Sequence, residues 1–339
     1  MTIAQVNTLR HQHAVHEGGM LRQSLIVGIA LFGFAFGVPP LTLGTARAAD
    51  LVKVHLPFAG LETMPFLIAD ELGFYKKQDI QLERHSMKVD IGVMATVGGQ
   101  VDVTQILGLS LRGAIERGAD LRIAMVFNKL PTYSMFVRKP ASSYQDLKGQ
   151  KIGSSSSGAS ATKILRVTLK EQGLDAEKDV NIFYIGDSPT IYQSLVSGAV
   201  SGAVLTAPFD VAAAARPELQ ELPFGNKPGV LMAGVSANTK FLYGRPDVAQ
   251  RFLRATWEGL NYLITHRPES IKLVMKYLKI DEDTASKVYD RWIKRFEPDG
   301  ALSPEFINEV LAFEFGNVSP DMAGKAFDFS VVKSFSKSN

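Results

Sequence analysis

The chain has 339 residues, of which 46% are hydrophobic and 21% are charged, and it contains no cysteine. The absence of cysteine excludes disulfides, thiolate metal ligands and a cysteine nucleophile. Three of the 37 basic residues and one of the 34 acidic residues lie in the first 49 positions. The rest of the chain is therefore close to neutral, and its charge indicates neither a nucleic-acid partner nor an anionic membrane surface.

Histidine does not indicate a metal site either. Three of the six histidines lie within the first 49 residues, and the others are His55, His85 and His266. These three are far apart in sequence, whereas histidine ligands of a metal commonly recur at short spacings. We therefore expect no metal and no cofactor.

The first 49 residues have the three-part build of a secretory signal. A polar start with two arginines is followed by an apolar run of about 15 residues at 24–38 and by an Ala-Arg-Ala triplet at 46–48. A membrane anchor is the alternative, but roughly 20 apolar residues are needed to span a bilayer. We predict cleavage after Ala48 or Ala49. The sequence has no twin-arginine pair and no lipobox cysteine, so a free periplasmic protein is expected.

Residues 50–139 read as short strands that alternate with helices. LVKVHLPF and IQLERHSM have the pattern of strands, and MPFLIADELGFYKKQ has apolar residues at helical spacing. IGVMATVGG, VDVTQIL, SLRGAIERG and LRIAMVF continue the alternation of helix and strand. Strands separated by helices in this way indicate an α/β fold with a mostly parallel sheet built from crossover units.

The same pattern restarts after SSYQDLKGQ. KIGSSS, NIFYIG and GAVLTAP are predicted strands, and SATKILRVTLKEQG and TIYQSLVSGA are the predicted helices between them. Val-Gly-Gly-Gln-Val at 97–101 and Val-Ser-Gly-Ala-Val at 196–200 each close a helix and open a strand. Glycine suits that place because a helix terminus often needs a left-handed residue. This short repeat supports two similar lobes.

From residue 245 onward the sequence predicts helices alone. They are PDVAQRFLRATWEGLNYLITH, PESIKLVMKYL, DEDTASKVYDRWIKRF and SPEFINEVLAFEF. Their starts carry the proline, serine and aspartate that helix N-termini favour. Trp257, Leu260 and Ile264 share one helix face, so core packing is a sufficient interpretation of the tryptophans. No low-complexity linker separates the parts, which indicates one interwoven unit.

The stretch KIGSSSSGASATKIL, at 151–165, carries five serines and one threonine between a predicted strand and a predicted helix. Patterned elements on both sides exclude a flexible linker. A serine nucleophile would need G-x-S-x-G and a phosphate loop G-x-x-x-x-G-K-[ST], and neither motif occurs here. Ligands bind at the carboxyl ends of strands in such sheets, and a helix start offers free N–H groups and partial positive charge. We predict that the hydroxyls of Ser156, Ser157, Ser160 and Thr162 donate to an oxyanion or another strong acceptor; one serine capping the helix is the alternative.

Other strand ends carry polar and aromatic residues that we predict to ring the same cleft. The candidate ligand contacts are Phe58, Leu61, Glu62, Thr63 and Met64 after the first strand, Thr104 and Gln105 after the third, Asn128 and Tyr133 after the fourth, and Thr206, Phe209 and Asp210 after the last strand of the second lobe. For each residue taken singly, a structural role such as a Thr63 helix cap is the competing interpretation.

The order of these motifs resembles the periplasmic solute-binding proteins of ABC importers, in the branch that takes sulfonates, taurine, nitrate and thiamine pyrimidine precursors. FLIADELGFYKKQDIQLE, VGGQVDVTQ, SYQDLKGQKIGSSSSGASATKILRVTLKEQGL and LVSGAVSGAVLTAP carry the resemblance, which covers residues 51–266. It implies a type II periplasmic-binding-protein fold with two lobes that close on the ligand and a C-terminal helical segment packed on the first lobe. Lobe 1 would hold residues 50–139 and 237–339 and lobe 2 residues 140–236, with crossings near Pro140 and Ser236.

The resemblance also implies where the ligand lies. The family's anion-binding helix start falls on Ser157, Gly158, Ala159 and Ser160, and its first-lobe contact falls within residues 61–64. After the second-lobe motif the family usually has aspartate where this sequence has Ser201, a position that we interpret as structural. The implied partners are a small solute and a membrane permease with its ATPase, and a monomer is expected.

The identity of the solute is the open part of the prediction. Helix-start donors favour an organic anion such as a sulfonate or carboxylate, but no arginine stands in the pocket loops, and Glu62 and Asp210 suit an amine or an aromatic N–H. A thiamine pyrimidine precursor or another nitrogenous aromatic is therefore the alternative solute. A pyrimidine-precursor biosynthetic enzyme on the same fold is disfavoured by the export signal and the absence of cysteine, so no catalytic residue is expected. A receptor that binds the same solute without feeding an importer is a third possibility.

Overall fold

The computed structural model describes residues 48–224, 229–317, 319 and 321–336. The predicted export signal precedes these ranges almost entirely, so it lies outside the described residues and stays a prediction. Within the described ranges, no helix combines the length and the apolar character that a bilayer crossing requires.

The first sheet has the mostly parallel arrangement that the sequence predicts. Its strands are β1 (Asp50–His55), β2 (Ile80–His85), β3 (Val103–Ile106), β4 (Leu121–Val126) and β10 (Ala233–Asn238). They lie in the order β2-β1-β3-β10-β4, and β10 runs antiparallel to the other four. The helices that connect its parallel strands are α1 (Met64–Glu71), α2 (Phe74–Lys77), α3 (Val89–Val97) and α4 (Gly108–Glu116). This sheet and these helices are called the first lobe.

The second sheet repeats the first. Its strands are β5 (Ser134–Arg138), β6 (Lys151–Ser154), β7 (Asn181–Tyr184), β8 (Gly202–Leu205) and β9 (Leu219–Leu222). The order is β7-β6-β8-β5-β9, with β5 as the reversed strand. Its helices are α5 (Ser160–Glu171), α6 (Ser188–Ser197) and α7 (Phe209–Ala214). This sheet and its helices are called the second lobe.

The short internal repeat lies at equivalent points of the two sheets. Residues 97–101 lead from α3 to β3, and residues 196–200 lead from α6 to β8. The middle glycine of each, Gly99 and Gly198, has a positive φ of 75° and 81°. A residue with a side chain adopts that conformation at a cost, which explains why glycine stands there in both lobes.

The two reversed strands fix where the chain passes between the sheets. Because β5 belongs to the second sheet, the first passage lies between Val126 and Ser134, and because β10 belongs to the first sheet, the second lies between Leu222 and Ala233. The sequence predicts these passages later, near Pro140 and Ser236. The difference arises because β5 and β10 are short, almost wholly buried strands without an alternating pattern, and such strands have no distinctive signal in the sequence.

The C-terminal helices pack mainly on the first lobe, as the sequence predicts. They are α8 (Thr239–Gly244), α9 (Pro246–Thr265), α10 (Arg267–Leu278), α11 (Glu282–Trp292), α12 (Pro304–Phe315), α13 (Met322–Ala326) and α14 (Ser330–Ser336). One hydrophobic core joins α9, α10 and α11 to α1 and the first sheet, and a second joins α12 and α13 to α4 and the other face of that sheet. From here on, these helices are counted with the first lobe.

Helix α9 lies against α1 at a very short separation. A Cβ placed on Gly259 would lie 2.2 Å from the carbonyl oxygen of Pro65 and 3.0 Å from the Ala69 side chain. One turn earlier, the Thr256 hydroxyl lies 2.8 Å from the buried hydroxyl of Tyr75, on the adjacent helix α2. Glycine at position 259 is therefore what allows the two helix backbones to approach.

We expect Gly259→Ala to lower the free energy of unfolding, because overpacking a close contact costs about 1–3 kcal/mol, which exceeds the gain in helix propensity. Gly113→Ala is the matched control, since a Cβ there meets its nearest atom at an ordinary 3.8 Å. The control is expected to keep or raise the urea midpoint. Equal midpoints for the two variants would contradict the close approach of α9 to α1.

Candidate functional site

Glu62 is a buried carboxyl group at the carboxyl end of β1. It lies in a 3₁₀ turn, Leu61–Thr63, that leads into α1, and only 6% of the residue is exposed. The Thr132 hydroxyl, from the passage between the lobes, donates a hydrogen bond to its Oε1. Burial raises the pKa of Glu62, because desolvation penalises the charged form, and the bond from Thr132 opposes part of this rise. No basic side chain among the described residues contributes to that pKa, so the carboxyl group faces the interior without a cation.

Asp210 is the corresponding carboxyl group of the second lobe, on the first turn of α7. It is fully buried, and its Oδ2 lies 2.9 Å from Nε of Arg291 and accepts a hydrogen bond from the Trp292 indole at 3.0 Å. Its Oδ1 is buried without a partner, and the Arg291 Nε lacks the alignment of a hydrogen bond, so the contact is mainly electrostatic. Burial raises the pKa of Asp210 and Arg291 opposes that rise. The charge of Asp210 also raises the pKa of Glu62, which indicates that the two carboxyl groups lie near each other across the lobes.

Tyr133 connects Glu62 to the start of α5. It follows Thr132 in the first passage, and its hydroxyl lies near the backbone N–H of Ala161 on the first turn of α5. Burial and the nearby charge of Glu62 raise the pKa of Tyr133 well above its usual value, and the Ala161 N–H opposes part of that rise. The phenol therefore stays protonated beside a helix turn whose N–H groups lack helical partners.

Buried polar atoms without partners gather at the same edge of the first sheet. Both amide atoms of Gln105, at the end of β3, lack a hydrogen bond, and so does Oδ1 of Asn128, just after β4. The Asn128 amide nitrogen donates to the carbonyl of Leu130 at 3.0 Å. Leaving such a group unpaired costs about 1–3 kcal/mol, and native proteins retain few of them. Because β1, β3 and β4 run parallel, Glu62, Gln105 and Asn128 all lie at or after the carboxyl ends of strands of the same sheet.

The serine turn, residues 155–159, is largely exposed to solvent, whereas the next residue, Ser160, lies toward the first lobe. Ser156, Ser157 and Gly158 are exposed, and Ala159 is the N-cap of α5 without a side-chain cap. By contrast, Ser160 lies toward the first lobe, because a Cβ placed on Gly108 would be 3.1 Å from its Oγ. Of the predicted serine contacts, the structure therefore brings Ser160 to the space between the lobes and leaves Ser156 and Ser157 at the surface. Their role in binding stays a prediction.

The first serines of the stretch belong to the second lobe itself. Ser154 is the last residue of β6, as the sequence predicts, and its hydroxyl shares a buried hydrogen bond of 2.6 Å with Thr162. This bond fixes the strand to the first turn of α5. Thr162 is thus engaged within its own lobe.

Several other predicted contacts have structural partners in place. Thr63 donates to the carbonyl of Phe58 at 2.9 Å, and Phe58 is half exposed beside a shallow hollow of about 270 Å³ that does not include Glu62. Leu61 and Met64 are fully buried in the main hydrophobic core. The Phe58 ring still lies near Glu62, since a Cβ placed on Gly60 would be 2.9 Å from Oε2 of Glu62 and 3.6 Å from that ring, and the Thr63 hydroxyl has a local role.

The remaining candidates are also paired. Thr104 contacts His55 at 2.9 Å and accepts from the backbone N–H of Ile106 at 3.2 Å. The Thr206 hydroxyl lies 3.0 Å from that of Ser188. The ring of Phe209 lies 5.6 Å from that of Tyr192. None of these contacts tests ligand binding, so all of these residues remain proposed contacts.

Three residues of the polar cluster were not identified from the sequence. Thr132 contacts Glu62, and Arg291 and Trp292 contact Asp210. Trp292 was interpreted as core packing, which its burial supports, but the indole N–H has a second role in the pair. Arg291 carried no sequence signal, because it lies on α11 and meets Asp210 only through the fold.

Several proteins of known structure share this fold. The alkanesulfonate-binding protein SsuA of Xanthomonas axonopodis pv. citri, bound to MOPS, has a TM-score of 0.64 at 15% identity over 79% of this chain and 92% of that one. The periplasmic nitrate-binding protein NrtA of Synechocystis PCC 6803 has a TM-score of 0.65 at 14% identity over 86% and 89% of the two chains. The desulfurization enzyme DSZB also shares the fold, with a TM-score of 0.63 at 15% identity over 86% and 100%.

These neighbours confirm the two-lobed periplasmic-binding-protein fold that the motifs indicate. No curated protein sequence matches the chain. A family model described as NMT1/THI5 like matches residues 61–270, which is more than half of the chain. The chain therefore belongs to the NMT1/THI5-like family.

Proposed function

We propose that this protein is the solute-binding component of an ABC import system, which captures a small organic solute between its lobes in the periplasm and delivers it to a membrane permease. The observation that carries the proposal is the set of buried polar atoms with free hydrogen-bonding capacity at Gln105, Asn128 and Asp210, beside Glu62, which accepts from Thr132 but has no ion pair among the described residues. A solute held between the lobes would supply the missing partners. Ligand sites combine such convergent polar groups with enclosing walls.

The polar groups favour a solute that donates hydrogen bonds. Glu62, the free Oδ1 of Asp210 and the free Oδ1 of Asn128 are all acceptors, and Glu62 has no cation beside it. A nitrogenous aromatic, such as a thiamine pyrimidine precursor, offers several N–H groups to acceptors placed in this way. This observation supports the nitrogenous solute as the first candidate.

An organic anion is the second candidate, and the start of α5 supports it. Ser160 and the free N–H groups of the first turn can donate to a sulfonate or carboxylate. An anion would bind beside Glu62 only while that carboxyl group is protonated, a form that its raised pKa favours. The two candidates therefore differ in how binding depends on pH.

An enzymatic role on the same fold is the alternative from another class. The chain lacks cysteine, and within the described residues no group of three His, Asp or Glu side chains is arranged to hold a metal. We propose binding without turnover, so a bound solute should be recovered unchanged after incubation with the protein. Chemical conversion of the solute by the protein alone would favour the enzyme.

A thermal-shift screen across pyrimidines, aromatic amines, sulfonates, carboxylates and nitrate tests the proposed function. A ligand at a hundred times its dissociation constant adds about 2.7 kcal/mol to the free energy of unfolding, which gives a clear rise in melting temperature. We expect a nitrogenous solute to bind more tightly as pH rises and Glu62 ionises, and an anion to bind less tightly. A screen without any shift would contradict solute capture.

Glu62→Gln should make the protein more stable at neutral pH. The folded-state pKa of Glu62 is raised above its usual 4.5, so its contribution to stability is present below that pH and is lost as pH rises through the folded pKa. Glutamine keeps an acceptor for Thr132 and does not titrate. We expect the variant to exceed the wild type in urea unfolding at pH 8 and to match it near pH 4.

Glu305→Gln is the matched control for that measurement. Glu305 is exposed in the first turn of α12, and a hydrogen bond from its own backbone N–H lowers its pKa. Its neutralisation is therefore expected to give no gain at pH 8. A gain for Glu305→Gln, or none for Glu62→Gln, would contradict the assignment of Glu62 as a buried carboxyl group without a cation.

Ser160→Asp tests the contribution of the α5 start. An aspartate at a helix start does not harm the helix, but it would repel an anion bound there. We expect this change to abolish binding of an organic anion, whereas Asn181→Asp, at an exposed position at the start of β7 and outside the candidate site, leaves it within about twofold. Isothermal titration with the solute found in the screen measures both. Normal anion binding by Ser160→Asp would remove the α5 start from the site.

A further inference from the structure

Two basic side chains join the first turn of α5 and the serine turn before it to the first lobe. Lys163, on that turn, reaches the C-terminal end of α12, and Arg112, on α4, reaches the serine turn that precedes α5. Helix α12 belongs to the hydrophobic core that contains Leu107 and Leu111 of the first lobe. Both contacts therefore join the two lobes at the helix start that is proposed to meet the solute.

The Lys163 ammonium group has three acceptors on α12. It donates to Oε2 of Glu314 at 2.9 Å, to the carbonyl of Phe313 at 3.0 Å and to the carbonyl of Glu314 at 3.3 Å. It also lies 4.6 Å from the centroid of the Phe313 ring. The end of a helix carries partial negative charge and unpaired carbonyls, so a cation is favoured there.

Glu314 lies beside one cation from each lobe, so separation of the lobes would remove only one of the two. Its side chain is only 2% exposed and lies between Lys163 of the second lobe and Arg112 of its own lobe, whose Nε is 3.7 Å from Oε2. Arg112 in turn donates from Nη2 to the Gly158 carbonyl at 2.8 Å. If the lobes part, Glu314 keeps Arg112 while Lys163 loses all three acceptors. The closed arrangement is thus stabilised by charge-assisted bonds that an open arrangement lacks.

We propose that Lys163 and Glu314 form a latch between the lobes, as positioning residues that hold the start of α5 at the cleft and slow the release of the bound solute. This inference rests on the proposed function only where it concerns solute release. The latch acts on the position of α5 and touches no solute itself. Because bonds to charged groups in buried positions are strong, the loss of this latch should raise the dissociation rate by about tenfold.

The position of α12 supports a conformational role. A Cβ on Gly229, in the second passage between the lobes, would lie 2.8 Å from the carbonyl of Glu309 and 2.9 Å from Cβ of Phe313. The same helix therefore supports the end of one passage and holds the first turn of α5. Movement of the second lobe about its passages would change both contacts together.

Stopped-flow kinetics with the solute found in the screen test the latch. We expect Lys163→Met to raise the dissociation rate about tenfold, and Glu314→Gln, which leaves the two carbonyl acceptors of Lys163 in place, to raise it by a smaller factor, each with less than about twofold change in the association rate. The double variant should be no faster in release than Lys163→Met alone, because Glu314 acts on release through Lys163. Lys163→Arg, which keeps a cation, should retain slow release.

Lys170→Met is the matched control, because Lys170 is an exposed lysine two turns further along α5. It is expected to release the solute at the wild-type rate. Equal release by Lys163→Met and Lys170→Met would overturn the latch, as would effects of Lys163→Met and Glu314→Gln that simply add.

A second measurement needs no solute. The chain has no cysteine, so spin labels can be placed without background at Glu116→Cys on the first lobe and Gln172→Cys on the second, both exposed. Pulsed dipolar spectroscopy should show longer or broader distances when Lys163→Met is added, but not when Lys170→Met is added. If the distances change in this way but no solute binds in the thermal-shift screen, the latch is supported and the proposed function is wrong. Solute binding with unchanged distances and unchanged release would overturn the latch alone.

Discussion

One reversed strand in each sheet is the constraint on which the rest of the structure depends. β5 and β10 are each hydrogen-bonded on both sides, so neither can leave its sheet without breaking two ladders. Each also ends or begins a passage between the lobes. The passages are consequently held beside the carboxyl ends of the parallel strands, where polar loops gather. Thr132 and Tyr133 lie on the first passage, and this places one against Glu62 and the other against the start of α5.

The two buried carboxyl groups, Glu62 and Asp210, differ in how far their neighbours offset the cost of desolvation. Asp210 has a guanidinium and an indole N–H beside one oxygen, which offsets part of its desolvation. Glu62 has one hydroxyl donor and a negative neighbour, so its burial is not offset to the same degree. Folding alone gives no reason to keep an uncompensated carboxyl group in such a place. A ligand that donates a hydrogen bond to Glu62 would supply that reason. Glu62 is therefore stronger evidence for the chemical class of the solute than the serine turn is.

The sequence predicted the parts of this structure that local patterns determine. Parallel strands followed by amphipathic helices were found, and the repeat at 97–101 and 196–200 marked equivalent points of the two sheets. β5 and β10 were missed because strands buried on both faces have no alternation, and the passages were therefore placed too late. Glu62 and Asp210 were candidates because they follow strands. Their partners Thr132 and Arg291 lie 70 and about 80 residues away, and only the fold brings them together.

The C-terminal helices follow every strand in the chain, yet they supply ion-pair partners to the second lobe at α7, β9 and α5. α11 supplies Arg291 to Asp210 and to Glu221 of β9, and α12 supplies Glu314 to Lys163. In the pairs with Asp210 and with Glu314 the carboxylate is almost fully buried, so salt screens these pairs far less than it would screen an ion pair at the surface. The C-terminal helices supply a cation, Arg291, to Asp210 of α7 and an anion, Glu314, to Lys163 of α5. A second lobe shifted or turned from this position would leave Asp210 and Glu314 buried without a cation from the facing lobe. The C-terminal helices thereby favour the observed arrangement of the lobes over neighbouring ones, and in that arrangement Tyr133 lies near both Glu62 and the first turn of α5.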